Sequence, residues 1–495
     1  MEQYDKDLQS IQEARRLAEQ AYRAQQEFFH FSQEQVDRIC EAMADAAYRE
    51  SARLAKMAVE ETSYGIPEHK TLKNHLGSKG TWEYIKNIKT VGVLRHDEAH
   101  KIIEIGAPMG VVVALSPRTN PTSTVMHKTL VSVKARNAIV HAPHPSAVHC
   151  ATETIRVMAE AGEKAGMPKG LVSGMTHISL PGTHELMGHK RTSVILATGG
   201  SAMVKVAHSM GKPAYGVGPG NVPVYVDRSA DIKLAAKYIV SSKAFDNSVI
   251  CATEQAVVAD KPIAAQLRRE MEAWGAYWVS KEQADALAKV LFRPNGAFNP
   301  DSVGQTPQTL AKMAGISVPD SARILVAPLE RVGRDVPLSH EKLTTVLAWY
   351  ETDGWEAGCE RSIELLNQGG RGHTVALHAT DENVIMAWGL EKPVFRILVN
   401  TMSTLGSVGF TTDLAPSMTL GSGGIGGAIT GDNITTTHLL NIKRLAYQTT
   451  PPPAAALIDA HPHNGSTPAT PAVNTADVEK VVRAVIEEVL RHTNG

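Results

Sequence analysis

Hydrophobic positions near the start of the chain recur at helical spacing: Leu8, Ile11, Ala14 and Leu17, then Val36, Ile39 and Met43, with neither Pro nor Gly before Gly65. That pattern predicts helix from about Asp5 to Tyr64. After about Arg95 the period changes, and KIIEIGAPMGVVVALSP reads as two strand-like runs broken by Gly and Pro. Apolar strands then alternate with amphipathic helices. VVVAL precedes a helix over Thr124–Arg136, AIVHA one over Ala147–Ala165, and SVILAT one over Ser201–Met210. Such alternation implies βαβ units on a parallel sheet, a doubly wound nucleotide-binding arrangement. A second series begins at about Val222 with VPVYVD, a helix over Ile232–Lys243 and EQAVVAD, and continues through ARILVAP, HTVALHA and RILVNT. It places a second α/β domain over about 222–420. The chain returns through the glycine-rich LGSGGIGGA and ends this part on HLLNIKRLAYQ, which reads as a final strand.

The residues from Thr449 to Thr475 are of another kind. Rich in Pro, Ala, Thr and His, they predict a flexible, partly extended linker. Beyond it Val478, Val481, Val482, Val485 and Val489 fall on one helical face, with Ile486 and Leu490 beside them and Asn474 or Thr475 as N-cap. This stripe needs a partner surface.

Composition narrows the function classes. Of 495 residues, 43% are hydrophobic, enough for two or three domain-sized cores. Fifty Lys+Arg stand against 51 Asp+Glu, so the basic excess of a nucleic-acid binder is missing. The apolar run Val111–Leu115 is far shorter than the roughly 20 residues a membrane helix needs. The polar, acidic MEQYDKDLQS does not read as a signal peptide. Four cysteines, Cys40, Cys150, Cys251 and Cys359, show no CxxC spacing. They fit a reducing cytoplasm rather than a disulfide scaffold or zinc site, and the 20 scattered histidines point to no metal.

Within that frame a few residues carry chemistry. Cys251, in SSKAFDNSVICATEQAVV, stands where a helix ends and a strand begins, after a polar loop with Asp246 and Asn247. A thiolate there would add to an aldehyde and, on loss of hydride, become a thioester; a cysteine may equally serve as a small buried hydrophobe. Asn120, in ALSPRTNPTSTVMHK, lies between a strand and a helix start. It reads either as a turn residue or as an amide donor to an oxyanion, a contribution of roughly 2.7–4 kcal/mol. ATGGSAMVKVA puts Gly199, Gly200 and Ser201 at a strand-to-helix turn, where bare backbone and a helix N-terminus suit a pyrophosphate, although the full GxGxxG is absent and a plain turn is the alternative. GVGPGNVPVYV, with Gly216 and Gly218, and LGSGGIGG are two more glycine turns at domain junctions, which together suggest a ligand cleft. Glu341, in HEKLTTVLAWY, is either a ribose ligand or a solvated acid. His373, in RGHTVALH, is a base, a coenzyme A contact or a structural histidine.

Taken together, SPRTNPTSTVMHK, SVILATGGSAMVK, GKPAYGVGPGNVPVYVD, FDNSVICATEQAVV, HEKLTTVLAWY, GRGHTVALH and LAPSMTLGSGGIGG resemble the acylating branch of the aldehyde dehydrogenase superfamily. The resemblance runs from about Asp5 to Tyr447. It implies an α/β fold of two doubly wound domains plus a small β oligomerisation arm. The cofactor domain would take 1–95 and 108–221, the arm 96–107 and 438–448, the catalytic domain 222–420, and 421–437 would return to the cofactor domain. It further implies Cys251 as nucleophile and Asn120, with the Cys251 N–H, as oxyanion hole. Ser116, Pro117, His144, Pro145, Gly199, Gly200, Ser201, Gly216, Gly218 and Glu341 would hold the cofactor, and His373 would act as base or touch coenzyme A. Hydrolytic members carry a glutamate base in a motif like ELGGK; Gly216 stands in that place here, so the thioester should await the coenzyme A thiolate. Thr345 replaces a proline common after the ribose glutamate, and His144-Pro145 replaces a Lys-Pro. With no acidic residue there to reject a 2′-phosphate, the choice of NAD over NADP rests on the resemblance alone.

The tail is similar to the encapsulation peptides of bacterial microcompartment cargo enzymes, which implies a shell-protein partner for 476–495 and a cytoplasmic site within such a compartment. A helix docking on the chain's own oligomer, dimer or tetramer, is the alternative. The expected reaction converts a small aldehyde to acyl-CoA with NAD and coenzyme A through an acyl-cysteine. A hydrolytic enzyme giving free acid and a non-catalytic cargo or scaffold protein are the competing readings.

Overall fold

The computed structural model describes residues 5–457 together with Lys480 and Ala484. The C-terminal helix expected over 476–495, and most of the linker before it, therefore lie outside the described residues. Residues 1–446 form one compact unit and 447–495 a second. In the second, the described residues up to Leu457 are exposed.

The long helical opening is three helices, not one. Lys6–Phe28, Gln33–Arg49 and Ser51–Thr62 are separate; Ser32 restarts the backbone before the second, and the third follows Glu50 without a side-chain cap. Ser32 makes a capping box with Gln35, each side chain satisfying the other's backbone N–H. Next comes Pro67–His75, which runs through a π-helical turn, Leu76–Gly80, into Thr81–Ile85. At Gly77 a Cβ would lie 2.6 Å from the Ser123 carbonyl oxygen, so this turn docks directly on the helix Pro121–Lys134. Asn74 adds to the dock by accepting from Thr122 Oγ1 at 2.7 Å.

The strands fall into three sheets. The arm contains β1 (Gly92–Asp97) and β2 (Ile102–Pro108), which pair antiparallel. It therefore begins at Gly92 rather than at 96, because Gly92 takes a φ of +73° that lets the chain turn into β1. A five-stranded parallel sheet holds β3 (Val111–Ser116), β4 (Ala138–Pro143), β5 (Val172–Gly174), β6 (Thr192–Thr198) and β7 (Ala214–Val217), in the order β5-β4-β3-β6-β7. Every residue of β3 and β4 is buried, which explains their unbroken apolar runs. A seven-stranded parallel sheet holds β8 (Val222–Val226), β9 (Glu254–Asp260), β10 (Ala276–Trp278), β11 (Ile324–Pro328), β12 (Val346–Thr352), β13 (Val375–His378) and β14 (Ile397–Val399), in the order β10-β11-β12-β9-β8-β13-β14. Last, β15 (Leu440–Ala446) returns to pair antiparallel with β2 and completes the arm.

Both parallel sheets are doubly wound. Strand order reverses between β3 and β6 in the first and between β8 and β13 in the second, and ligand crevices form outside the carboxyl ends of strands at such points. One apolar core spans the first sheet and the opening helices. Two cores cover the faces of the second sheet. A smaller cluster, with Leu76, Val217, Phe245, Ile250 and Val408, draws on both halves and packs against Cys251.

Candidate active site

Two features stand out, a cleft at the carboxyl ends of the first sheet's strands and the cysteine loop at the amino ends of the second sheet's strands. The cleft has a volume of about 370 Å³ and is walled by Ser116, Pro117, His144, Pro145, Gly199 and Gly200 among others. These residues end β3, β4 and β6, the strands on either side of the reversal. Its chemistry suits a nucleotide. The Ser116 hydroxyl is buried with no hydrogen-bond partner. A Cβ on either Gly199 or Gly200 would meet nothing within 4 Å, so the bare backbone there borders open space. Gly200 caps the helix Ser201–Ser209 without a side-chain bond, leaving the first N–H groups free for an anion. Apolar walls come from Ile178, Leu180 and Met203, which the sequence pattern did not single out.

The other glycine turns do different work. Gly216 lies within β7, and a Cβ there would point at Val204 Cγ1 (2.6 Å) and His208 Nε2 (2.8 Å). That direction is filled by the helix Ser201–Ser209, with no room for a carboxylate arm. Gly218 has open space around its Cβ position. LGSGGIGG folds against the 371–396 segment, where Gly423 would strike the Phe395 ring at 2.1 Å.

Cys251 alone of the four cysteines is not buried; Cys40, Cys150 and Cys359 are. It follows a short 3-10 turn, Phe245–Ser248, and precedes β9. Asp246, Asn247 and Ser248 take φ values of +50°, +50° and +70°, three non-glycine residues in a row in the left-handed region. Such backbone costs on the order of 1–3 kcal/mol per residue and persists only where its surroundings enforce it. Here Asn247 Nδ2 donates to the Gly304 carbonyl at 2.9 Å, and Asp246 is held by a buried ion cluster.

Asn120 caps the helix Pro121–Lys134 from a φ of −137° and ψ of 57°. Its amide Nδ2 donates to the Val249 carbonyl at 2.9 Å and to Thr119 Oγ1 at 3.3 Å. The geometry thus brings Asn120 to the residue two before Cys251. Gly220 joins the remaining groups. Its N–H donates to Glu341 Oε1 at 3.0 Å, and a Cβ there would lie 2.0 Å from the Cys251 carbonyl oxygen and 3.2 Å from His373 Cε1. His373 is buried; Thr374 Oγ1 is 2.9 Å from its Nδ1, and its Nε2 has no partner. Arg396 secures this side of the site. Its guanidinium donates to the carbonyls of His373, Gly421 and Gly431 and to Asn433 Oδ1, at 2.6–2.8 Å.

Burial sets the electrostatics. Desolvation pushes the Cys251 thiol up to about 12, with Glu341 adding to the rise and Arg396 and Lys73 opposing it. Desolvation also lifts Glu341 to about 7, against the Gly220 N–H and Lys243, and lowers His373 to about 3. His373 is therefore neutral at physiological pH. Glu341 is buried beneath Gly220 and does not wall the cleft; it sits on the cysteine side. Sequence reasoning passed over Gly220, Arg396, Lys70 and Lys73. Gly220 lies in the GVGPGN turn but carries no sign of its contact with Cys251, and the partners of the others lie far away in sequence. Among the described residues no group of three or more His, Cys, Asp or Glu could hold a metal ion, and no helix is long and apolar enough to cross a membrane.

Comparison with known proteins gives a consistent result. The pattern of the aldehyde dehydrogenase family matches residues 6–283. The chain is 40% identical over 442 residues to the bifunctional aldehyde-alcohol dehydrogenase AdhE of Escherichia coli, covering 88% of this chain and 50% of that protein. The chain thus spans about half the length of the bifunctional relatives it matches. An acetylating aldehyde dehydrogenase from Geobacillus thermoglucosidasius has 49% identity and a TM-score of 0.90, over 91% of this chain and 100% of that one. A propionaldehyde dehydrogenase from the Clostridium phytofermentans fucose utilisation bacterial microcompartment has 27% identity and a TM-score of 0.79, over 87% of this chain and 96% of that one.

Proposed function

The chain belongs to the aldehyde dehydrogenase family, and from that premise we propose that it oxidises a small aldehyde to the acyl-CoA with NAD and coenzyme A. The observation that carries this reading is Cys251, the one cysteine that is not buried, with the Asn120 amide bound two residues away at Val249. The balance is aldehyde plus NAD⁺ plus CoA–SH giving acyl-CoA plus NADH plus H⁺. The Cys251 sulfur bonds the aldehyde carbon, and Asn120 Nδ2, released from Val249, joins the Cys251 N–H in binding the oxyanion. Collapse of that oxyanion expels hydride and leaves an acyl-cysteine. The coenzyme A sulfur then bonds the acyl carbon as the Cys251–carbon bond breaks. NAD, when bound, supplies the hydride acceptor. Ser116, Pro117, His144, Pro145, Gly199, Gly200 and the N-terminus at Ser201 would hold its nucleotide, with Gly216 and Gly218 lining the approach to the site and Glu341 as the ribose ligand. His373, with Nε2 unpartnered, is placed to contact coenzyme A; the burial that lowers it to about 3 leaves it a weak base, so coenzyme A would react as the thiolate.

Support for acylation over hydrolysis comes from Gly216, whose side-chain direction is closed by Val204 and His208. The deciding assay is NADH formation from propionaldehyde with NAD or NADP, with and without coenzyme A. Sustained turnover only with coenzyme A, yielding propionyl-CoA, is expected. Turnover to free acid without it would end this reading. Exposed Val93, Ile442 and Leu445 on the arm support self-association into a dimer or tetramer, which sedimentation would measure. The apolar stripe of 476–495 supports a microcompartment shell protein as partner and a cytoplasmic location inside it. A fluorescent protein carrying 449–495 should co-purify with shells, and a freely diffusing fusion would argue against that address.

A further inference from the structure

Behind Asn120 lies a buried ion cluster that the reaction above leaves without a task. The helix Pro67–His75 presents Lys70 and Lys73 on one face toward the cysteine loop. Lys73 Nζ donates to Asn120 Oδ1 at 2.7 Å and to Asp246 Oδ2 at 2.5 Å. Lys70 Nζ donates to the same Asp246 oxygen at 3.0 Å and to the Thr119 carbonyl at 2.8 Å. Asp246 Oδ1 accepts the Ile66 N–H at 2.6 Å, and a Cβ on Gly65 would fall 2.0 Å from that oxygen. The side chains of Lys70, Lys73 and Asp246 are 3%, 4% and 0% exposed, so water does not screen their charges.

Two consequences follow. A lysine ammonium offers only donors, so the Asn120 atom it meets is the oxygen. The amide nitrogen is thereby turned the other way, toward Val249 and the cysteine loop. Second, two ammonium groups face one carboxylate, leaving one net positive charge buried on this side of Cys251. Uncompensated buried charge is costly, so its retention calls for an anion that forms during turnover. From other elements, Glu341 and Arg396 also act on Cys251, with opposite signs. His69, whose Nδ1 accepts the Asp246 N–H at 2.8 Å, is a further titratable group against the cluster, and Cys150 faces Lys70.

We propose that Lys73, gripped by Asp246, is a positioning residue that fixes which edge of the Asn120 amide faces Cys251 and holds one net positive charge against the sulfur. The inference rests on the Cys251–Asn120 reading above. Lys73 acts through Asn120 and through its charge.

Alkylation of Cys251 by iodoacetamide, followed by mass on the purified full chain from about pH 6 to about pH 9, tests the charge without needing any substrate. Lys73→Met should be alkylated about tenfold more slowly than the parent at every pH below about 8, equivalent to one unit in the thiol. Lys73→Arg, which keeps the charge, should stay within about threefold. Asp246 retains Lys70 in both variants, so no carboxylate is stranded. Asp246→Asn provides an independent arm. It removes the carboxylate that keeps Lys73 charged and gripped, so alkylation should slow as in Lys73→Met and kcat should fall about tenfold or more. A role in folding alone would leave alkylation of the folded variant at the parent rate. In turnover, Lys73→Met added to Asn120→Ala should cost no more than Asn120→Ala alone. Equal alkylation of Lys73→Met and the parent, or multiplicative losses in that pair, overturns the proposal. A parent enzyme that oxidises no aldehyde would instead sink the reaction assigned above, while the alkylation series still decides the role of Lys73.

Discussion

Gly220 is the tightest point of the site, and replacing it with alanine isolates how much of the activity depends on where Cys251 sits. A Cβ at Gly220 would stand 2.0 Å from the Cys251 carbonyl oxygen and 3.1 Å from its carbonyl carbon. Real Cβ atoms do not approach closer than 3.0 Å, so the two backbones must part by at least about 1.0 Å. The movement cannot go toward His373, whose Cε1 would lie 3.2 Å from the new methyl. It must therefore displace Cys251, whose N–H, one peptide unit before the displaced carbonyl, is half of the proposed oxyanion hole. A displacement of that size at a reacting group costs about 10²-fold in rate, near 2.7 kcal/mol of activation free energy. Overpacking of this kind costs roughly 1–3 kcal/mol in stability, a few degrees in Tm for a chain this long. The informative quantity is kcat measured at saturating aldehyde, NAD and coenzyme A, on protein shown to be folded by its melting curve. Gly220→Ala should melt a few degrees lower and turn over about a hundredfold more slowly. A folded variant within threefold of the parent kcat would show that the Cys251 peptide is not held where the reaction needs it, and the argument from close packing would fail.

Three further outcomes are expected. Gly216→Glu should not convert the enzyme to a hydrolase, because Val204 and His208 occupy the new side chain's path; free acid should not appear on analysis of products, and stability should drop by about 1–3 kcal/mol in denaturant titration. A Cβ at Gly199 meets no atom within 4 Å, so the Tm of Gly199→Val should match the parent, while its KM for NAD should rise about tenfold or more as the cleft fills, a difference of about 1.4 kcal/mol; an unchanged KM would place the nucleotide elsewhere. Without cofactor, Cys251 alkylation should climb with pH and show no plateau below about pH 9. Its thiol lies near 12, so each unit of pH below that adds thiolate, less whatever Glu341 subtracts as it ionises above about 7. A plateau below pH 8 would contradict the burial that raises the thiol.

Strands and helices were legible wherever burial imposes a period. The run Val111–Leu115 reads as an inner strand because both faces of β3 are covered, and the helix expected over Ala147–Ala165 is observed as Val148–Lys164. At the cleft, the turn at Gly199 and Gly200 was legible in the pattern, whereas Ser116, Pro117, His144 and Pro145 came from the family resemblance; all six stand where an apolar run stops, and in a parallel sheet those stops gather at one edge. The edge of the arm was less distinct. β1 is largely exposed, so no apolar alternation marked its first residues and its start was placed four positions late. Most opaque was the support beneath the nucleophile. Lys73 and Asp246 are 173 residues apart, and the left-handed run Asp246–Ser248 contains none of the glycines that usually announce such backbone. Only the folded chain shows that the polar loop before Cys251 is an anchored one.

Burial around Cys251 also bears on why the proposed acyl group would wait for coenzyme A. Hydrolysis needs an ionised base within reach of a water molecule. Among the described residues the carboxyl that acts on Cys251 is Glu341, and it is poorly suited to that task. Its Oε1 is occupied by the Gly220 N–H, and desolvation holds it near 7, so below that pH it is a neutral acid. Above that pH it becomes an anion, and the same charge disfavours the Cys251 thiolate that must form first. Activating water and activating the nucleophile therefore make opposite demands on one residue. Coenzyme A escapes the conflict because its thiol is far more acidic than water and can react as the thiolate without a strong base from the protein. His373, neutral at physiological pH and with Nε2 unpartnered, adds no negative charge beside the sulfur. On this reasoning the glycine at 216 and the burial of Glu341 act in the same direction: each withholds a base from water, and together they leave a thiol as the nucleophile the site can use.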